Sequence, residues 1–262
     1  MIVKGFGPID EWKPAPNRLE LQPDEVHVWR SRLYGAAPMA AGLAGCLSDD
    51  ELHRASRFRS TKDRNRFVAR RVIQRIILGR YLKLEPAQLR FRHNEQGKPE
   101  LDPAMASEPL CFNTSHSNGL AVFAISRNRT VGIDVEQVDP TTGWLEIAEH
   151  SFATREVDVL RKLPVSDRVA AFFSMWTCKE AYIKAEGKGL SIPLNQVEVS
   201  LSGDGSVRLL NVGGNRDAAA AWSLRRFVPA EGWLGAVCGP GDDWQLRYWN
   251  WDSSSKAAGG SD

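Results

Sequence analysis

Gly132-Ile133-Asp134-Val135-Glu136 is the stretch that decides how the middle of this 262-residue chain folds. Apolar and acidic residues alternate along it, and alternate side chains of a β-strand point to opposite faces. We therefore predict a strand whose apolar face packs on a core and whose other face carries Asp134 and Glu136. Two carboxylates on one strand face repel each other unless a cation, a proton or solvent relieves the repulsion.

This carboxylate pair has two interpretations. No His or Cys accompanies the acids, which favours a hard cation such as Mg²⁺ that prefers oxygen ligands. A strand whose outer face is simply solvated explains the same alternation equally well. The motif by itself leaves both interpretations open.

A second motif, WTCKEAYIK, occupies residues 176–184. On a helix, Trp176, Glu180 and Lys184 lie at positions i, i+4 and i+8 and share one face. The ordinary interpretation is an exposed Glu–Lys pair that stabilises the helix by about 0.3–0.5 kcal/mol. Phe172 lies one turn earlier, however, and the two aromatic residues indicate that Glu180 lies at the edge of a core. A third carboxylate there could complete a site with the strand acids.

A third motif is Asn113-Thr114-Ser115-His116-Ser117, which runs into a turn predicted at residues 115–119 between two strands. Its hydroxyl groups and imidazole could hydrogen-bond phosphate oxygens, and a protonated His116 would add positive charge. Polar turns are common, so this motif is weak by itself. The sequence has no G-x-S-x-G, Walker A, G-x-G-x-x-G or H-E-x-x-H pattern that would point to another chemistry.

The other elements follow from hydrophobic periodicity and turn residues. Gln96-Gly97-Lys98-Pro99 is predicted to be a turn that presents a lysine, and Gly187 and Gly189 are predicted to end a helix. The remaining predictions are a strand at 26–29, a helix capped by Ser48, a long helix from about 63 to 81, strands at 110–113, 120–125 and 131–136, a helical region from about 154 to 185 that is interrupted near Pro164, and several strands between 192 and 251.

Charge is unevenly distributed along the chain. The net charge is only +2, but residues 51–98 contain fourteen Arg and Lys residues and four acids, a net charge of +10. A basic face of this kind attracts phosphate-rich partners, although a solvated helix face is the ordinary interpretation. The charge indicates a polyanion without saying which one, so a nucleic-acid site remains an alternative.

Composition is typical of a globular protein, with 42% hydrophobic and 25% charged residues. No apolar run reaches the roughly 18 residues of a membrane span, and the first residues lack a signal-peptide core, so we expect a cytoplasmic protein. The four cysteines are scattered without C-x-x-C spacing, which predicts reduced thiols and neither a zinc site nor a disulfide framework. The Ser/Gly/Ala-rich end of the chain is predicted to be a flexible tail.

Taken together, the three motifs resemble the signature of surfactin-synthetase-type 4′-phosphopantetheinyl transferases, within the holo-carrier-protein synthase superfamily. The similarity extends from about Leu47 to Pro193, more than half of the chain. The matching segments are Phe112 to Ser117, Val131 to Glu136, Trp176 to Lys184 with Gly187-Lys188-Gly189-Leu190, Gly97-Lys98-Pro99, and the basic stretch around Arg54, Arg57 and Phe58.

The resemblance implies a role for individual residues. Glu51 departs from the pattern, since relatives can carry a lysine there, and this affects part of the nucleotide contact. The implied roles are Mg²⁺ binding (Mn²⁺ is possible) by Asp134, Glu136 and Glu180; catalysis by Glu180, Lys184 and His116; binding of the coenzyme A nucleotide and phosphates by Arg54, Arg66, Lys98, Ser115, His116 and Lys184; and deprotonation of the serine hydroxyl by Glu180, with Glu156 as a supporting candidate.

The resemblance also implies the fold and the reaction. We expect an α+β monomer (an α/β sandwich) of two pseudo-symmetric halves, each a long helix packed on a small, mainly antiparallel sheet. The halves would comprise residues 1–128, with the basic face, and 129–252, with the carboxylates, followed by a tail at 253–262. The implied reaction transfers the phosphopantetheine arm of coenzyme A to a serine of an apo acyl or peptidyl carrier protein and releases 3′,5′-ADP, as in secondary metabolism.

Partners other than coenzyme A and a carrier protein, namely a nucleic acid or a membrane, are not expected. Two other classes of function remain open at this point. One is a Mg²⁺-dependent enzyme that acts on nucleic acid, and its binding would weaken steeply with salt. The other is an interaction protein without catalytic activity, for which an Asp134→Ala change would have no effect.

Overall fold

Two β-sheets pack face to face, and one long helix covers the outer face of each. The computed structural model describes residues 9–33, 42, 44–188, 192–202 and 206–251. The helices are α1 (Asp49–Ser56), α2 (Thr61–Leu82), α3 (Trp144–Ser151), α4 (Thr154–Lys162), α5 (Val165–Glu186) and the short α6 (Arg216–Ala220). The strands are β1 (Lys13–Pro14), β2 (Glu25–Arg32), β3 (Phe91–His93), β4 (Pro99–Leu101), β5 (Leu110–Ser117), β6 (Leu120–Arg127), β7 (Gly132–Gln137), β8 (Val197–Leu201), β9 (Val207–Val212), β10 (Trp222–Phe227), β11 (Trp233–Pro240) and β12 (Gln245–Asn250).

The first sheet has the strand order β1-β12-β2-β6-β5. Strands β2, β6 and β5 are antiparallel neighbours, whereas β12 pairs in parallel with β2. Helix α2 covers this sheet with the buried residues Ile73 and Ile77, which pack on Trp29 and Phe123. This half therefore has its own core between one helix and one sheet.

The second sheet has the order β10-β11-β7, and both pairings are antiparallel. Helix α5 covers it through residues such as Phe172 and Cys178, which belong to one core cluster with Ala236 and Cys238 of β11. A separate β8–β9 ribbon packs against the same core. The α+β architecture of two helix-on-sheet halves agrees with the predicted fold class.

A third core cluster joins the two sheets. Val28 of β2 and Val122 of β6 belong to the same buried cluster as Ile133 and Val135 of β7. Because alternate residues of a strand point to opposite faces, the other face of β7 turns toward α5. The prediction that Ile133 and Val135 face a core is confirmed, and the fold places the strand acids against the long helix.

Local sequence signals account for most helix ends. Ser48 caps α1 through a capping box with Glu51, as the sequence predicts. Helix α5 ends at Gly187, whose φ of 74° lies in the left-handed region that favours glycine. The turn before Pro99 contains Gly97 with a φ of 81°, and it joins β3 to β4.

Two predictions differ from the structure. The predicted turn at residues 115–119 is shorter in the structure, because β5 continues to Ser117 and only Asn118 and Gly119 make the reversal. Polar residues such as Ser115 and Ser117 are typical of turns. Here both lie in β5, and their hydroxyl groups contact the acids of β7. Helix α3 was not predicted.

Some predictions lie outside the described residues, namely the role of Gly189 and the flexible tail at 253–262. The division of the chain near residue 128 stays a prediction. Across the described ranges, no helix combines the length and apolar content that a membrane crossing requires.

Candidate active site

The candidate site lies where β5, β7 and α5 meet. Asp134 is 2% exposed, and its Oδ1 atom accepts a hydrogen bond from the Ser115 hydroxyl at 2.7 Å. The Lys184 Nζ atom lies 2.6 Å from the same oxygen and 3.1 Å from the Ser115 hydroxyl. One residue from each of three elements is thus held in a single polar cluster.

The other carboxylate oxygen of Asp134 has no such partner. The Oδ2 atom is buried and makes no hydrogen bond with any described residue. A buried charged oxygen without a partner is costly, and buried carboxylates in proteins are normally paired or bound to a metal. This atom therefore marks a position where a positively charged group would be stabilised.

Glu136 is the second acid of β7, and it extends toward the same side. It accepts a hydrogen bond from the Ser117 hydroxyl at 2.7 Å. Burial raises the pKa of Glu136 to about 7, and the negative charges of Asp134 and Glu180 act in the same direction. The carboxylate pair predicted from the alternation on β7 therefore consists of a buried Asp134 and a half-buried Glu136, whose negative charges repel each other.

Glu180 faces these acids from α5. Burial and the charge of Asp134 raise its pKa, while Lys184, one turn further along the helix, lowers it. Glu180 and Lys184 thus share the helix face that points at β7, as the spacing predicts. Trp176 lies on the adjoining turn and packs with Phe172 and Phe152, so the aromatic residues do place Glu180 at the edge of a core.

The three acids are neighbours but are not drawn together into a ligand cage. Within the described ranges, no group of three His, Cys, Asp or Glu side chains is assembled tightly enough to hold a metal ion. Lys184 balances part of the negative charge instead. The residues nevertheless fit a hard divalent cation, because all donors are oxygens, Asp134 Oδ2 is unpartnered, and a cation would relieve the raised pKa of Glu136.

Three arginines lie close together near His116, and we call Arg54, Arg66 and Arg70 the arginine patch. Arg54 and Arg70 both lie over the Phe67 ring, each 5.7 Å from its centre. Arg70 also donates to the Thr114 hydroxyl on β5 at 3.3 Å. The patch therefore joins α1, α2 and β5 in one cationic surface.

His116 is close enough to Arg70, Arg66 and Lys184 to feel the charge of each. The residue keeps an exposed edge, yet loss of hydration, followed by the charges of Arg70, Lys184 and Arg66, lowers its pKa to about 4. Desolvation, assisted by these cations, therefore favours the neutral imidazole in the ligand-free protein. A bound anion would favour the protonated form.

Lys98 lies apart from the arginine patch. Its Nζ atom donates to the carbonyl oxygens of Val131 and Ala185, both at 3.3 Å. The β3–β4 turn is thereby tied to the start of β7 and the end of α5, and Asn94 adds a bond to the carbonyl of Gly187 at 2.9 Å. In this state Lys98 connects the two halves of the molecule.

Two acids named from the sequence have structural roles. Glu51 is buried and pairs with Arg75, whose Nε atom lies 2.8 Å from its carboxylate. Glu156, the supporting candidate for a base, is 4% exposed and pairs with the buried Lys179. Its carboxylate also accepts the backbone N–H of Val199 at 2.9 Å. Glu156 is therefore not available to a substrate.

Sequence reasoning missed Arg70, and it named Asn113 and Ser117 within the polar motif without identifying their contacts. Ser115 and Ser117 have the same i, i+2 spacing as the acids that they contact, so treating the motif as a strand would have paired them. Arg70 follows Arg66 by one helical turn, and this i, i+4 spacing places both on one face of α2. Asn113 accepts the backbone N–H of Ile133 at 3.0 Å and so holds β5 beside β7.

Comparison with known proteins bears directly on this site. Residues 130–238 match the 4′-phosphopantetheinyl transferase superfamily model, and residues 38–128 match the model for the N-terminal part of 4′-phosphopantetheinyl transferases. The two matches together include β5, β7, α5 and the arginine patch.

Full-length relatives agree. The 4′-phosphopantetheinyl transferase HetI of Nostoc sp. (strain PCC 7120) is 41% identical over 240 residues, which cover 92% of this chain and 98% of HetI. The 4′-phosphopantetheinyl transferase Sfp of Bacillus subtilis (strain 168) is 32% identical over 62% of this chain and 70% of its own length. The chain belongs to the 4′-phosphopantetheinyl transferase family of enzymes.

Solved structures of smaller proteins overlap this chain in part. The holo-[acyl-carrier-protein] synthase (AcpS) of Thermotoga maritima aligns over 43% of this chain and 63% of its own, with 20% identity and a TM-score of 0.34. An ACPS–CoA complex of Chronobacterium ammoniagenes aligns over 42% of this chain and 95% of its own, with 19% identity and a TM-score of 0.32.

Proposed function

We propose that this protein transfers the 4′-phosphopantetheine group of coenzyme A to a serine hydroxyl of an apo acyl or peptidyl carrier protein. The reaction depends on Mg²⁺ and releases 3′,5′-ADP. Membership of the family supports the identity of the transferred group, 4′-phosphopantetheine. The observation that carries the proposal is the acid site formed by the buried Asp134 and the half-buried Glu136 and Glu180 beside Lys184, near a surface of arginines.

The chemistry needs positioning and charge neutralisation more than covalent catalysis. The serine Oγ atom attacks the phosphorus that carries the pantetheine arm, and the bond from that phosphorus to the bridging oxygen of 3′,5′-ADP breaks. The serine proton must leave, because a neutral hydroxyl is a poor nucleophile. Glu180, whose pKa is raised by burial and Asp134, is suited to accept it directly or through a water.

Asp134, Glu136 and Glu180 are the residues that would hold Mg²⁺, with Mn²⁺ as a possible substitute. A divalent cation bound there supplies charge that neutralises the pyrophosphate and the leaving 3′,5′-ADP. Ser115 and Ser117 orient the strand acids through their hydroxyl groups. Lys184, which pairs with Asp134 in the free protein, is placed to move to a phosphate oxygen when the acids gain another partner.

Coenzyme A is the proposed donor, and the cationic residues provide its binding surface. Arg54, Arg66 and His116 belong to the cationic side of the site, and Lys98 lies where the β3–β4 turn meets β7 and α5. Carrier proteins are typically acidic, so the same basic face would steer them to the site. We also propose that the protein is cytoplasmic and that it acts as a monomer. The two halves already pack against each other within one chain, so a second copy is not needed to complete the fold.

The decisive experiment incubates the protein with coenzyme A, MgCl₂ and an apo carrier protein and weighs the carrier by mass spectrometry. The proposal expects a mass gain equal to one phosphopantetheine arm, lost without divalent metal and in Glu180→Gln. Glu149→Gln, a partly exposed acid on α3, is the matched control and should retain activity. Unmodified carriers of several types in the wild-type reaction would contradict the proposal.

A further inference from the structure

The end of α5 is held by side chains from outside the helix. The last carbonyl oxygens of a helix have no partner within it, and here two of them accept hydrogen bonds from elsewhere. The carbonyl of Ala185 accepts from the Lys98 Nζ atom at 3.3 Å and from the Thr130 hydroxyl at 3.0 Å. The carbonyl of Gly187 accepts from the Asn94 Nδ2 atom at 2.9 Å. Two of these three donors belong to the short turn between β3 and β4.

Asn94 shapes that turn and also attaches it to α5, and it uses one amide group for both. Its Oδ1 atom accepts the backbone N–H groups of Gln96 and Lys98 at 3.0 Å and 2.8 Å, which is the bonding of an Asx turn. Its Nδ2 atom donates to Gly187, and we call this bond the turn–helix bridge. An amide has an acceptor end and a donor end, whereas an ionised aspartate has acceptors alone. An aspartate could therefore form the turn but not the bridge.

The turn–helix bridge lies within one helical turn of the candidate site. The backbone N–H of Gly187 donates to the carbonyl of Ile183 at 3.1 Å, so Gly187 closes the same last turn that contains Lys184. The Lys184 Nζ atom lies 2.6 Å from the Asp134 Oδ1 atom. Helices fray at their ends, and partners for the last carbonyls oppose this fraying. A displaced last turn would carry the Lys184 ammonium group away from the acids.

We propose that Asn94 is a positioning residue for the transfer reaction, because the turn–helix bridge fixes the last turn of α5 and with it the Lys184 ammonium group. This role rests on the proposed function. Asn94 acts through Lys184, whose positive charge matters most when negative charge develops on the leaving 3′,5′-ADP. Loss of the bridge should therefore slow the transfer step more than it weakens substrate binding.

Two substitutions separate the bridge from the turn. Asn94→Asp keeps the acceptors of the turn but replaces the donor by a carboxylate oxygen, which repels the Gly187 carbonyl. Asn94→Ser keeps one acceptor, adds no charge and is too short to reach Gly187. Both should lower kcat about tenfold without changing KM for the carrier protein, since a displaced catalytic group is felt mainly in the transition state. Asn215→Asp, the same change at the N-cap of α6, is the matched control and should leave kcat unchanged.

Hydrogen exchange provides a readout that needs no transfer. In both Asn94 variants of the ligand-free protein, the peptide that covers residues 181–188 should exchange about fivefold faster, while the urea midpoint changes little. Unchanged exchange, a normal kcat, or a loss confined to Asn94→Asp would overturn the role of Asn94, and so would a loss that only follows a lower urea midpoint. A wild-type enzyme that modifies no carrier would instead remove the proposed function, and the exchange measurement would still test the bridge.

Discussion

At the scale of single residues, Asp134 is the centre of the site. One of its oxygens is held by Ser115 and Lys184, and the other is buried without a partner. A residue held in this way is oriented in advance but only half neutralised. The same atom that is costly in the free protein would gain most from a bound cation, which makes Asp134 the sharpest test of metal dependence.

We expect Asp134→Asn to abolish the response to Mg²⁺. The amide keeps the shape and can still bond Ser115, but it lacks the charge that a divalent cation requires. Activity measured across a MgCl₂ titration should fall at least about 100-fold at every concentration, consistent with loss of transition-state charge stabilisation. Asp158→Asn, an exposed acid on α4, is the matched control. A normal titration in Asp134→Asn would contradict its assignment as a metal ligand.

The buried His27 should make the stability of the fold depend on pH. It is 2% exposed, bonds Tyr81 through Nδ1 at 2.8 Å and lies 3.1 Å from Glu25 through Nε2. Burial lowers its pKa below the ordinary value of 6.5. The unfolded chain therefore binds the proton first as pH falls, and stability is lost from about pH 6.5 downward.

Urea unfolding at pH 7.5 and pH 5.5 tests this dependence. The wild type should lose free energy of unfolding over this interval with a slope of at most about 1.4 kcal/mol per pH unit from this group. His27→Gln should lose less, and the exposed His53→Gln should behave as the wild type. Identical pH profiles for wild type and His27→Gln would show that His27 is not responsible.

At the scale of elements, the approach of β7 to α5 creates the site. A Cβ atom at Gly132 would lie 2.0 Å from the carbonyl oxygen of Ala181 and 2.3 Å from the backbone nitrogen of Ala185. Only a glycine allows the strand to run this close to the helix. The two acids that follow on β7 therefore reach Glu180 and Lys184 because of a missing side chain.

We expect Gly132→Ala to separate β7 from α5. The shift that relieves the clash should lower the free energy of unfolding by about 1–3 kcal/mol. It should also reduce transfer activity by more than about tenfold, since a displacement of catalytic groups by about 1 Å can cost about 100-fold in rate. Gly45→Ala, where a Cβ meets nothing within 4 Å, is the control and should change neither. Wild-type activity in Gly132→Ala would mean that this close approach is dispensable.

A buried ion pair joins α4 to α5 next to the site. Lys179 is fully buried and contacts Glu156, the carbonyl oxygen of Leu194 at 3.0 Å and the Phe152 ring at 4.3 Å. Removing one partner of such a pair leaves an uncompensated charge, which typically costs about 3–5 kcal/mol. The pair fixes the helix turn that carries Glu180.

A double-mutant cycle separates this structural role from catalysis. Lys179→Met should be strongly destabilised in urea unfolding, and the double variant Glu156→Gln/Lys179→Met should recover much of the loss. The double variant should also transfer phosphopantetheine, because Glu156 does not reach the substrate. A stable but inactive double variant would restore Glu156 as a base.

At the scale of the whole molecule, the first and the last described strands, β1 and β12, pair with each other. Strand β12, near the C-terminus, pairs in parallel with β2 and lies between β1 and β2 in the first sheet. Tyr248 of β12 also packs on Trp12, with ring centres 4.9 Å apart. The two halves therefore contact each other outside the candidate site as well. Loss of β12 would expose the edge of β2.

We expect a chain that ends at residue 242 to lose cooperative folding of both halves. Its melting temperature should fall by more than about 5 °C, since loss of only a few kcal/mol produces shifts of this size in domains of 150–250 residues. A chain that ends at Asp252 keeps all of β12 and should melt as the full chain does. Unchanged melting of the shorter chain would show that β12 is an accessory strand.

The sequence by itself determined most of the long elements and which faces they bury, although it missed α3 and ended β5 too early. The signals that succeeded are local, because each depends only on residues that are close together in the sequence. They are the alternation on β7, the i, i+4 spacing on α5 and the caps at Ser48 and Gly187. Three motifs in order were also enough to predict the family, which the relatives confirm. The acids of the site were named for the same reason.

Only the tertiary structure decided how these groups balance one another. The pairing of Ser115 with Asp134, the lowered pKa of His116 and the burial of Glu156 depend on contacts between residues that are at least 19 positions apart in the chain. Charge and burial are properties of the space around a side chain, and that space is filled by distant segments. For this reason the sequence could name the residues of the site but could not state their charges or their partners.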